Sequence, residues 1–210
     1  MMEVLKSSLS FVKYNIKVSL NLNVAVALVF VLFLPFIFSF KLIDAFSMAK
    51  ISELFISITG IILFPYLSSL DEVDNIGEVT STKRIPYIYA FSTRLIFVVL
   101  FNLLLIIFAT TIAKIQGADF PQLKFTFSIL VTCLTLGLIG LTAALLTHSI
   151  AAGYLLPFSY YAFEFSTKGQ YTKNFYLFSL LKNSYTEKFH LLALLLILIC
   201  INIMLILRKS

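Results

Sequence analysis

The stretch DNIGEVTSTKRIPYIYAFSTRLIFVVL, residues 74–100, passes from mixed charge and turn residues straight into an apolar run. Just upstream, Asp71 and Glu72 join Asp74 and Glu78, so a short segment holds four of the chain's ten acids. The remainder is far greasier: of 210 residues, 60% are hydrophobic and only 12% charged, with a mean hydropathy of +1.00. A soluble domain carries about twice that share of charge. Leu, Ile, Phe and Val run continuously instead of alternating, which favours spanning helices over a closed barrel. The segment is therefore a polar connection between two spans, and the expected fold is an all-α integral membrane protein.

Working outward, six spans are expected: 20–40, 52–70, 94–113, 125–147, 150–165 and 189–207. Most approach the ~20 residues needed to cross a bilayer. The fifth, IAAGYLLPFSYYAFEF, is shorter and carries Pro157 midway and Glu164 near its end. Residues 167–188, polar but containing the apolar cluster Phe175–Leu181, are expected to form an outer re-entrant or interfacial segment. Ahead of the first span, Leu5, Leu9, Val12 and Ile16 make a helical stripe flanked by Lys6, Lys13 and Lys17. Lysines beside such a stripe snorkel to headgroups, so residues 4–18 are expected to form an interfacial amphipathic helix. That apolar run begins too late for a removable signal peptide to be expected, and no small-residue cleavage site follows it.

An even number of spans puts both termini on one side, but the positive-inside rule does not choose the side directly. Eight Lys and Arg fall on each. Three lysines precede the first span against two just after it, and Arg84, Arg94 and Arg208 all fall with the termini. The expected placement is a multi-pass protein of the cell membrane with both termini cytoplasmic. The net charge of +6 suits an anionic bilayer, and its basic residues are too dispersed to form a nucleic-acid patch.

On this topology residues 71–93 are the one substantial cytoplasmic loop. Ser69 and Glu72 have capping-box spacing, and Pro86 suits the first turn of a helix running into the third span. An ordinary solvated loop would also be charged. The order of residues is more particular: Gly77 and Glu78, then Thr80, Ser81 and Thr82, then Lys83 and Arg84, Pro86, Tyr87, and Arg94 entering the span. This pattern, with the interfacial helix, six spans, outer segment and basic tail, resembles the ABC type-2 exporter permeases across nearly the whole chain. The chain is shorter than many of them and its outer loops are small.

The resemblance implies a homo- or heterodimer of permease subunits, each docked through its loop on a separate ABC ATPase subunit that holds ATP and Mg. It implies that Gly77, Glu78, Thr80, Ser81, Thr82, Lys83 and Arg84 make the ATPase contact, with Glu78 its central charge. No cofactor would be bound by the chain directly, and the exported cargo would be amphipathic or hydrophobic, such as a peptide or toxin. Two other readings stay open, a membrane-embedded immunity or assembly protein that moves nothing, and a secondary carrier.

Enzymatic chemistry finds little footing. No G-x-x-x-x-G-K-[ST] occurs, and His148 and His190 are expected at opposite faces, which excludes an H-E-x-x-H zinc site. The acids at 71–78 lack EF-hand spacing and are followed by Lys83 and Arg84, so no metal site is expected. No catalytic residue is expected either. Cys133 and Cys200 lie in apolar runs and read as packing residues. Within the spans, Tyr160, Tyr161, Glu164 and Asn102 are the candidates for a cargo path or gate, although an amide such as Asn102 more often bonds another helix than a substrate. Gly137 and Gly140, with Thr135 and Thr142, read as close helix packing first and a lumen second.

Overall fold

The computed structural model describes residues 2–70 and 87–209, and every described element is helical apart from one isolated bridge. Helix α1 (Met2–Ser19) covers the expected amphipathic segment. Asn21 then adopts an extended backbone and its side chain accepts from the Val24 N–H. That cap restarts the chain as α2 (Leu22–Phe38) in a new direction, 63° from the last turns of α1.

The next rod begins at Ala45, not at Ser52 as the hydropathy suggests. It comprises α3 (Ala45–Ile51), a π-helical turn (Ser52–Ile56), α4 (Ile58–Leu63) and a 3-10 turn (Pro65–Ser68). Lys50, which the expected spans leave between the first and second, is therefore helical. Pro65 lacks an N–H and sits where the α-helical ladder gives way to the tighter turn. Then come α5 (Tyr87–Ile115), α6 (Gln122–Thr147), α7 (Ile150–Thr167) and α8 (Thr186–Lys209). His148 in the left-handed region and Ser149 in the extended region make a two-residue turn, which forces α7 back along α6. Helix α7 continues through Pro157 without a break.

Among the described residues four rods are long and apolar enough to cross a membrane: Ala45–Ser68, Ile88–Ile115, Gln122–Thr147 and Thr186–Arg208. A fifth joins them if the bent α1–α2 pair is one span. Six spans are expected from the sequence, and the 18-residue α7 falls outside this set. The α6 rod is 78% buried and the Ala45–Ser68 rod 72%, whereas those of α5 and α8 are 33% and 28% buried. The first pair forms the centre, and the second pair turns its apolar side chains outward.

Close approach makes that centre possible. A Cβ on Gly60 would lie 2.0 Å from the Cys133 carbonyl oxygen, and one on Gly140 2.5 Å from the Gly153 carbonyl oxygen. Only glycine lets α4 and α7 press on α6 this way, so the packing reading of Gly140 holds. Connections meet at each end of the bundle. At the far end, Leu42 N–H donates to Gln116 O and Asp119 N–H to Ile43 O, joining residues 39–44 to 116–121. Toward the terminal end, the Arg94 side chain on α5 donates from Nε to Asn15 Oδ1 on α1 at 2.9 Å.

Candidate functional site

The far end of the bundle holds a buried polar centre built on the π turn. Widening the helix at Ser52–Ile56 replaces the usual spacing with a bond from Ser57 N–H to Ser52 O, 3.1 Å. Such one-turn bulges are frequent at functional sites. Here the bulge carries Glu53, which is fully buried. Its Oε1 lies 2.5 Å from Lys188 Nζ and its Oε2 accepts from Leu180 N–H at 3.1 Å. Lys188, in the first turn of α8, also donates to Thr132 Oγ1 (2.7 Å) and to Leu177 O (2.5 Å). All three ammonium protons are thereby used, each on a different element.

This arrangement fastens residues 168–185 to the bundle. The segment has only two 3-10 turns, Lys173–Phe175 and Ser179–Lys182, yet Tyr176, Leu177, Phe178 and Leu180 are buried. The polar centre takes one carbonyl and one N–H from it. Around the ion pair, the hydroxyls of Ser52, Ser128 and Ser179 are buried without a hydrogen-bond partner among the described residues. Burying two charges costs several kcal/mol per ion, and pairing returns about as much, so the pair is worth little as net stability but ~3–5 kcal/mol to break.

The sequence reading missed Glu53 and Lys188 as a site. A lone acid just inside an apolar run was a signal, but its partner lies 135 residues away. Glu164, Tyr160 and Tyr161 do come together, on the face of α7 that meets the same segment. Tyr161 donates to Leu54 O at 2.6 Å and meets the Phe178 ring edge-on, with centroids 5.2 Å apart. Tyr160 donates to Phe175 O at 2.9 Å. Glu164 is completely buried; the Thr172 hydroxyl and the Leu177 backbone lie against its carboxylate, and among the described residues no cation is hydrogen-bonded to it. Burial, with the charges of Glu53 and Glu164, pushes the Tyr176 phenol up to about 12, so this ring stays neutral at physiological pH.

Asn102 lies elsewhere, in the helix interface. It accepts from Thr59 Oγ1 at 2.8 Å, next to Cys133, whose Sγ is 3.7 Å from that hydroxyl. Cys133 is buried and Cys200 exposed, both as free thiols. Among the described residues no three His, Cys, Asp or Glu gather as metal ligands. Gly77, Glu78, Thr80, Ser81, Thr82, Lys83 and Arg84 lie outside the described residues. No protein-family model, curated protein or solved structure matches the chain.

Proposed function

We propose that this chain is the membrane-embedded permease subunit of an ABC transporter, exporting an amphipathic or hydrophobic cargo such as a peptide or toxin. One observation carries the reading. The far end of the bundle is closed by a segment that lacks regular α-helix and is fastened, beside its Tyr160 and Tyr161 contacts, through the buried ion pair Glu53–Lys188. A purely structural plug would be cheaper to build from apolar side chains. A charged fastener suits a barrier that must close firmly and also open when energy is supplied.

In this reading α2, the Ala45–Ser68 rod, α5, α6, α7 and α8 make six passes, with α1 along the cytoplasmic face of the cell membrane and both termini cytoplasmic. The far end is then the outer end. Residues 77–84 contact a separate ATPase, which holds ATP and Mg. The outward apolar faces of α5 and α8 meet lipid and a second permease subunit. ATP-driven movement of the rods withdraws Lys188 from Glu53 and frees residues 176–182, while Thr132 and Leu177 O hold the ammonium when the path is shut.

The experiment is affinity capture of the tagged full chain in mild detergent, wild type beside Glu78→Lys, with mass spectrometry of co-purifying proteins. Recovery of a P-loop ATPase with the wild type and its loss with the variant are expected. Absence of any ATPase under several gentle conditions would sink the reading, and an immunity or assembly role would take its place.

A further inference from the structure

At the far end of the bundle a cavity of about 480 Å³ opens between the start of α3, the end of α7 and the fastened segment. Phe46, Phe165, Tyr176 and Phe178 give it aromatic walls, and the charged residues among its described lining, Lys168 and Lys182, are both basic. Glu164 stands outside that lining. Its carboxylate is buried against the Thr172 hydroxyl and the Leu177 backbone, and Lys182 acts on it only through space. The charge that an occupant meets is therefore positive.

Lys182 is already positioned for such an occupant. Its ammonium donates to Lys168 O at 2.9 Å and lies 4.3 Å from the centroid of the Tyr176 ring. An ammonium has three protons, so these contacts fix the head at the cavity and still leave it able to donate to an anion. The turn that carries it is fixed too, because Leu180 N–H is bonded to Glu53. Lys168 comes from another element, as the residue that ends α7.

The walls narrow the kind of anion. Phe46 and Phe165 are 59% and 56% exposed, and the cavity is open on one side, too open to enclose a soluble ligand. In a bilayer such rings lie among acyl chains, while lysines and tyrosines gather at the headgroup level. The rods end at this level, α3 beginning at Ala45 and α7 ending at Thr167. A soluble anion would use the lysines and leave the exposed rings to water. A lipid with an acidic head uses both.

We propose that this cavity binds one anionic phospholipid, its phosphate between Lys168 and Lys182 and its chains running over Phe46 and Phe165. The occupant touches α3, α7 and the segment together, so it braces the plug that Glu53 and Lys188 fasten. That bracing rests on the permease reading; binding itself does not.

The test is native mass spectrometry of the full chain released from nanodiscs of equal parts phosphatidylcholine and phosphatidylglycerol. Retention of one phosphatidylglycerol per chain, in preference to phosphatidylcholine, is expected. Lys168→Gln and Lys182→Gln should each lower that preference by about fivefold, and together they should abolish it. Lys41→Gln combined with Lys173→Gln removes the same charge from the same end without touching the lining, and should leave the preference unchanged. All four lysines are exposed, so the variants should fold. Equal retention of the two lipids, or an equal loss in the control pair, would overturn the proposal in favour of diffuse attraction to a basic surface. Release of the retained lipid by excess inorganic phosphate would overturn it in favour of a soluble-anion site. Lipid retention by a chain that captures no ATPase would keep this site and remove the permease reading.

Discussion

Glu53 and Glu164 are both fully buried carboxylates near the same end of one bundle, and both face the segment 168–185. Glu53 accepts from the Lys188 ammonium on α8 and from Leu180 N–H in the segment, whereas Glu164 has only the neutral Thr172 hydroxyl and Leu177 backbone against it. Desolvation is costly for each, so the difference lies in what repays it. At Glu53 the protein supplies its own cation, and the result is a fastener. At Glu164 it supplies neutral neighbours and a lysine that acts only through space, and no bonded cation.

The sharpest way to break this comparison is to remove one member of the pair. Lys188→Met leaves Glu53 buried and alone and should cost ~3–5 kcal/mol, read as a lowered thermal or denaturant midpoint in nanodiscs. Glu53→Leu combined with Lys188→Met should recover most of that loss. If the double variant is as unstable as the single, the pair is structural and not a fastener. In the permease reading the recovered protein should export no cargo, because the plug no longer releases on the same cue.

A smaller effect comes from displacing the rod that carries Glu53. Gly60→Ala places a methyl against the Cys133 carbonyl and should cost ~1–3 kcal/mol as α4 moves off α6. Cysteine labelling should then show Cys133 more reactive. Thr132→Val tests the fastener more gently. It removes one of three acceptors from Lys188 and should cost about 1 kcal/mol by the same melt.

The smallest change is expected at the other carboxylate. Glu164→Gln removes a buried charge with no bonded cation and keeps an oxygen to face the Thr172 hydroxyl and the Leu177 backbone, so stability should stay within ~0.5 kcal/mol of wild type or rise. A loss as large as that of Lys188→Met would mean that Glu164 is fastened too, and the contrast between the two would fail.

Much of this was legible along the chain. Long apolar runs cannot satisfy their backbone groups in lipid except as helices, so an all-α membrane protein follows from composition and run length alone. The lysine-flanked stripe of residues 4–18 is a local periodicity, and α1 follows it. Gly140 was recognisable as a packing residue from its small neighbours, and Glu164 stood out because acids are costly near the end of an apolar run. These are properties of neighbouring residues, which is the only geometry that a sequence states directly.

Other features came only with the fold. Glu53 sits at the edge of its run and looked like part of a polar boundary until α3 extended the rod upstream to Ala45. Its meeting with Lys188 depends on a π turn and on the return of the chain after 135 residues. Four or five of the six expected passes meet the length and hydropathy of a span, because α7 has helical length but too many polar side chains to qualify by hydropathy. Hydropathy and periodicity determined which residues leave water as helices. Tertiary packing decided which buried charges found partners, because a counter-charge acts over a few ångströms and the chain order carries no record of that distance.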